Sequence, residues 1–289
     1  MKINKKYKSV SFIYMDKLNL FLCFSCTLII LIWTLNYCNY GFDFTDEGYY
    51  LSWISNPFLY KTSATHFGFV YHPIYLITKG NIAIIRQIDL IISFSLAWCL
   101  AYNFLRLVIL IEKERILILQ IISSGLATSI FVSYNIPTPN YNNLGLQAVM
   151  LISIGLFNLN NKLFSRNIFS SFLIGLGGWL SFMAKPTSAF LLAIGVFIYL
   201  VSTHKHSIKI ILSSILFVII FFLLTAHIID GSILNFINRI KLGIEHRGLL
   251  GASYSFIEML RIDIPEISIS NLISIFIISI TITLSFLLT

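Results

Sequence analysis

The feature that most limits what this chain can fold into is its supply of apolar runs near 20 residues long, cut by short polar segments. Eight such runs fall at 18–37, 82–110, 116–132, 143–159, 168–184, 188–202, 208–227 and 270–288. About 20 helical residues are needed to cross about 30 Å of hydrocarbon. Composition closes the alternative: 57% of the residues are hydrophobic and 11% charged, where a soluble domain carries about 25% charged residues to cover its surface. The sequence therefore predicts an all-α polytopic membrane protein of about eight transmembrane helices. It predicts one domain over 1–289, because no Pro/Gly/Ser linker, low-complexity stretch or internal repeat divides the chain.

Charge orients the spans. The arm 1–17 holds Lys2, Lys5, Lys6, Lys8 and Lys17. The run after it outlasts the 7–15-residue core of a secretory signal and ends in Asn36-Tyr37-Cys38-Asn39-Tyr40, so an uncleaved first helix is expected. The short gaps 112–115, 160–167 and 203–209 carry Lys113 and Arg115, Lys162 and Arg166, and Lys205 and Lys209. Short basic loops face the cytoplasm, which puts the N-terminus inside a plasma (inner) membrane. Two long loops, 41–81 and 228–269, then lie outside, and the outer side receives nine of the twelve acids, counting Asp89. The net charge of +8 reports this orientation and not a nucleic-acid partner. Cys23, Cys26, Cys38 and Cys99 lie in or beside apolar runs without a second Cys or His pair, so neither a disulfide framework nor a zinc site follows.

The outer loops hold the residues suited to chemistry. Asp43, Asp46 and Glu47 cluster among aromatics just after the first span and before Leu51-Ser52-Trp53-Ile54, a pattern that suggests a segment lying on the membrane. A partly desolvated carboxylate there becomes a better general base; a solvated loop start is the plainer alternative. His66 and His72 follow, then Arg86 and Asp89, three apart on one helix face. That spacing permits an ion pair, or leaves Arg86 facing an anionic ligand. Pro137 and Pro139 fix an extended turn rich in Asn and Tyr. Lys185 precedes a helix-breaking Pro186 at an outer tip, placed for a phospholipid headgroup or for a dedicated phosphorylated lipid. In the second long loop Ile233, Phe236, Ile237, Ile240 and Ile244 recur at helical spacing. This reads as an interfacial amphipathic helix whose Arg239, Lys241, His246 and Arg247 would meet a phosphate or serve as a passive anchor.

Three segments together resemble the GT-C glycosyltransferases, in the bacterial branch related to protein mannosyltransferases and lipid A aminoarabinose transferases. Asp46-Glu47-Gly48-Tyr49-Tyr50 is similar to that family's acidic first loop. Tyr141-Asn142-Asn143-Leu144 after the prolines looks like a recurring family segment, and Gly177-Gly178-Trp179 through Lys185-Pro186-Thr187 looks like its Gly-rich helix ending in Lys-Pro-Thr. The resemblance covers roughly 18–205. It implies sugar transfer from a polyprenyl-phosphate donor to a glycan, lipid or protein acceptor on the outer face. Asp46 would be the base, Glu47 its support and Asp43 the alternate; Lys185, Arg86, His72 and Arg247 would hold the donor phosphate. Several family members use a second external acid, sometimes as a metal ligand. The turn 134–143 has none, so a divalent metal is not carried over. The chain also stops at Thr289 at the end of an apolar run where the family continues, which raises the expectation of a truncated product. Two rival classes share the composition: a transporter or lipid flippase, and a catalytically silent membrane subunit. Charges gathered at outer helix ends rather than at the midplane favour interfacial chemistry over a transmembrane path.

Overall fold

The computed structural model describes residues 5–43, 46–59, 61, 63, 65–108, 116–133, 137–159, 164–203 and 208–249. Side chains are described except at 5–16, 132–133, 164–166 and 247–249. The chain divides into two compact units, 1–246 and 247–289; the architecture here is that of the first. The eighth expected span, 270–288, lies outside the described residues.

The described secondary structure is entirely helical. In chain order the helices are α1 Lys5–Tyr37, α2 Glu47–Ser55, α3 Phe67–Ile77, α4 Ile82–Val108, α5 Ile116–Ala127, α6 Tyr141–Asn158, α7 Phe164–Ala184, α8 Pro186–Ser202, α9 Ile208–Asp230 and α10 Ile233–Leu249. Two 3-10 segments, Pro57–Leu59 and Thr128–Ser133, extend the turns after α2 and α5. Four stretches, Lys17–Tyr37, Ile82–Val108, Asn167–Ala184 and Ile208–Asp230, are long and apolar enough to cross a membrane. The apolar runs expected at 116–132 and 188–202 form shorter helices.

Packing runs α1 on α5, α5 on α4, α4 on α6, α6 on α7, and α7 on both α8 and α9. Glycines allow the closest of these approaches. A Cβ at Gly177 would come within 2.7 Å of the Ala148 carbonyl oxygen of α6, and one at Gly155 within 2.9 Å of the Ser170 oxygen of α7. One buried cluster joins Tyr50, Trp53 and Ile54 of α2, Phe67 and Tyr71 of α3, Leu144 of α6, Met183 and Ala184 of α7, and Phe236 of α10. The inner face of α2 is thus core. The segment after Asp46 is a helix whose inner face packs on α3.

Two helices, α8 and α10, are fixed by the residues at their starts. Pro186 occupies the first turn of α8, where its missing N–H costs nothing. The residue before a proline is held extended, and Lys185 has φ −154° and ψ 115°. Gly231, at φ +70°, makes the reversal between α9 and α10 in a conformation few other residues take readily. The buried face of α10 is Phe236, Arg239 and Gly243, while Ile233, Leu234, Ile237, Leu242 and Ile244 are exposed.

Candidate functional site

The two adjacent acids of α2 go to different environments. Asp46 stands at the helix N-terminus, exposed, with no capping hydrogen bond from its side chain. Glu47, one residue on, is buried at 1% exposure. Its Oε1 accepts from Arg86 Nε at 2.9 Å, from Arg86 Nη2, and from the Thr138 hydroxyl. Its Oε2 accepts from the backbone N–H of Asp43 at 2.9 Å.

Arg86 is fully engaged in return. Nε also donates to Thr138 Oγ1 at 3.0 Å. Nη1 donates to the carbonyls of Cys38 at 3.0 Å and Tyr40 at 3.3 Å, and Nη2 to that of Gly41 at 3.0 Å. Gly41 reaches this position at φ +76°, a left-handed turn suited to glycine. Every guanidinium nitrogen is therefore spent on tying α4 to the end of α1, to α2 and to the Pro137–Pro139 turn. This corrects two expectations. Arg86 is not set to face a donor phosphate, and its partner is Glu47, 39 positions away in sequence, rather than Asp89. Glu47 likewise becomes a positioning residue, buried and held by Arg86, Thr138 and the Asp43 backbone.

Asp89 centres a second buried layer. Its Oδ1 accepts from the Tyr71 hydroxyl at 2.9 Å and from Gln147 Nε2 at 2.7 Å, and its Oδ2 from Asn143 Nδ2 at 3.0 Å. Gln147 also donates to Ser93 Oγ at 2.8 Å. A fully buried carboxylate requires such donors, and they come from α3 and α6. Sequence reading missed Tyr71, Thr138, Asn143 and Gln147. The available signal was polar residues at four-residue spacing on α6 (Asn143, Gln147) and on α4 (Asp89, Ser93) within apolar runs, a pattern that demands partners.

Outside these layers lies a chain of contacts toward Lys185. Asn140 caps α6, its Oδ1 accepting from the backbone N–H of Asn142 at 2.8 Å and of Asn143 at 3.1 Å. This leaves Tyr141 and Asn142 projecting from the first turn. Lys185 Nζ donates to Asn142 Oδ1 at 3.1 Å and sits 4.2 Å from the centre of the Tyr141 ring, a cation–π geometry. Tyr141 in turn packs edge-on against Tyr50, ring centres 5.7 Å apart. Burial, the hydrogen bond and charge interaction with Tyr141, and the nearby Asp46 carboxylate hold the Tyr50 phenol well above its ordinary pKa. Tyr50, Tyr141 and Lys185 are thus in contact in series, and Asp46 stands one helical turn before Tyr50. A cavity of about 490 Å³ opens at the Lys185 end, lined by α6, the last turn of α7, and α8.

The other sequence candidates fall elsewhere. His72 Nδ1 hydrogen-bonds the Ile54 carbonyl at 2.8 Å and its ring stacks on Tyr75, so it joins α3 to α2. Asp43 contributes its backbone N–H to Glu47. Arg239, expected to meet a phosphate, is turned inward. It binds Asp230 through Nε at 2.8 Å and Nη2 at 2.6 Å. Arg247 lies outside the residues whose side chains are described. His66, in the same corner as Arg239, is 1% exposed, packed near Phe69 and Phe236, with neither ring nitrogen hydrogen-bonded among the described residues. Burial, then the Arg239 charge, lower its pKa to about 4.

Family profiles, curated proteins and solved structures return no match to this chain. Among the described residues no three His, Cys, Asp or Glu side chains gather as a metal-binding group.

Proposed function

We propose that this protein is a membrane glycosyltransferase of GT-C type that moves a sugar from a polyprenyl-phosphate donor to an acceptor on the extracytoplasmic face. Eight spans, with the N-terminus inside, carry the site in a plasma (inner) membrane. The observation that carries this reading is Lys185, held by Tyr141 and Asn142 at a cavity of about 490 Å³, with Tyr50 against Tyr141 and exposed Asp46 one turn before Tyr50. That volume falls in the range of small-molecule sites, about 300–1,000 Å³.

In this scheme Asp46 deprotonates the acceptor hydroxyl. Lys185, held by Asn142 and the Tyr141 ring, meets the phosphate that leaves the sugar carbon; fixed positive charge at the departing oxygen is where electrostatic stabilisation acts most strongly. The Glu47–Arg86–Thr138 and Asp89 layers hold α2, α4 and α6 in register beneath them. The buried charged groups of α4, Arg86 and Asp89, lie in its first turns, as an interfacial site requires.

The test is membrane-reconstituted transfer from a polyprenyl-phosphate sugar. Asp46→Asn should fall at least about a hundredfold, the lower end of general-base contributions, with unchanged melting, because the residue is exposed. Lys185→Ala should lose donor use, and Lys185→Arg should restore part of it, since phosphate needs charge more than shape. Near-normal transfer by Asp46→Asn would remove the enzyme reading's main support.

A further inference from the structure

α10 is fastened in one corner by two side chains of opposite character. Phe236 is fully buried, its ring centre 5.4 Å from that of His66 and 5.3 Å from that of Phe222 of α9. One turn on, Arg239 binds Asp230 of α9 through two nitrogens, at 2.8 and 2.6 Å. Its guanidinium carbon lies 5.6 Å from the centre of the Phe69 ring. Another side of α10 carries Ile233, Ile237 and Ile244, all exposed. The joint between α9 and α10 is Gly231, also exposed, at φ +70°.

Both anchors bear on His66. Neither of its ring nitrogens has a hydrogen-bond partner among the described residues, and the side chain is shut from water. A neutral imidazole leaves one N–H without an acceptor there; an imidazolium leaves two and adds a charge. Burying that charge without partners is costly. The backbone of His66 is held in place, its N–H donating to the Met183 carbonyl of α7 at 2.8 Å. The charged groups acting on the ring are Arg239 of α10, which opposes protonation, and Asp230 of α9, which Arg239 already engages. On the neighbouring elements, Lys185 is turned to Asn142 and Tyr141, and His72 of α3 to the Ile54 carbonyl. Lys61, His227, Lys241, Glu245 and His246 are exposed.

We infer that α10 is a pH-gated strap: protonation of His66 drives Arg239 and Phe236 out of the corner, and α10 swings away about Gly231. This holds whether or not the protein is a transferase. The sign follows from burial. With α10 docked the ring resists protonation down to about pH 4; once α10 leaves, water reaches the ring and it titrates near 6.5. Docking is therefore fully favoured above pH 6.5 and weakens as pH falls toward 4, by about tenfold per pH unit and about 300-fold in all. α10 leaves before the rest because α6 and α7 meet backbone to backbone at Gly155 and Gly177, whereas α10 is held by side chains. What it uncovers is the α3–α7 corner, where the bond from His66 to Met183 lies two residues from Lys185.

The experiment uses the full chain in lipid nanodiscs, with the native cysteines replaced and spin labels on Asn238→Cys of α10 and Leu76→Cys of α3, both exposed positions. Pulsed electron paramagnetic resonance reads their separation between pH values of about 7.5 and about 4, and circular dichroism follows the helices. One narrow distance at the upper end should give way below about 6.5 to a second population. The ratio of the two should grow by up to about tenfold per pH unit, with the helical signal unchanged. His66→Phe keeps a ring against Phe236 and should stay docked throughout. Should that variant fail to fold, His66→Gln takes its place. Histidine-labelled NMR of the wild type is the second measurement: the His66 resonance should titrate together with the distance change. A pH response that persists in the His66 variants puts the titration on another group and overturns the inference. So does a distance unchanged at pH 4, a His66 resonance that titrates apart from it, or loss of the helices in step with the second population.

Discussion

Replacing Glu47 by glutamine separates structure from chemistry at this site. The change is nearly isosteric, yet four donated hydrogen bonds converge on the carboxylate, two from Arg86, one from Thr138 and one from the Asp43 backbone. An amide has one accepting oxygen. Whichever way it is turned, its NH₂ opposes either the Arg86 guanidinium or the Asp43 N–H, donor against donor. The charge of Arg86, 3% exposed, is then left buried with only neutral acceptors, the carbonyls and the Thr138 hydroxyl. Removing one partner of a buried ion pair costs about 3–5 kcal/mol, a large part of the about 5–15 kcal/mol that holds an ordinary domain folded. Glu47→Gln should therefore unfold at markedly lower temperature in detergent, with transfer falling in step. The double variant Glu47→Leu/Arg86→Met removes both charges. It should be less destabilised than the sum of its single variants by about 0.5–3 kcal/mol, the range of coupling between contacting residues. It will not return to wild type, because the Cys38, Tyr40 and Gly41 carbonyls lose their donor. Scanning fluorimetry on the four proteins measures the cycle. Glu47→Gln that melts like wild type but transfers no sugar would refute the positioning role and make Glu47, not Asp46, the base. Strict additivity in the double variant would refute the coupling.

His66 gives a pH signature. Its folded pKa, about 4, lies below its ordinary 6.5, so the unfolded chain binds the proton first. Stability is full above about pH 6.5 and falls as pH drops toward 4, by about 3 kcal/mol in all. The charged groups facing it are Arg239, which opposes protonation, and Asp230, which favours it; His66→Phe should flatten the unfolding midpoint across this window, and an unchanged pH profile would show another group responsible. Gly177→Ala pushes a methyl to within 2.7 Å of the Ala148 oxygen and should cost about 1–3 kcal/mol, as overpacking does, read by the same melting assay; no loss would mean that α6 and α7 part easily. For the eight-span arrangement, single cysteines at 55–65 and 245–255 on a cysteine-free background should label from outside intact cells, and labelling at 160–167 from outside would overturn it.

Much of the scaffold was legible because it is local or compositional. The helix break at Lys185-Pro186 follows from the proline ring and its effect on the preceding residue. The reversal before α6 follows from Pro137 and Pro139, with Asn140 able to cap the next helix. The position of Lys185 beside the Tyr141-Asn142 turn was anticipated only as two separate candidates, and the structure brings them into contact. The inward side of α10 was half legible: Phe236 and Ile240 do pack inward, but Arg239 joins them because Asp230 waits there.

The sequence by itself determined that the described chain is helical and rich in apolar runs, and where several helices start and stop; it predicted about eight spans, of which four described helices are long and apolar enough to cross a membrane. Those properties depend on residue type within a few positions. Only the tertiary structure decided which of Asp46 and Glu47 is exposed, which partner Arg86 takes, what satisfies Asp89, and that Gly145 borders an opening while Gly177 fills a contact. Each of these depends on which helix faces which. A helix that is apolar all round offers no moment to read a facing direction from. Its few polar residues demand partners without saying where along the chain those partners lie.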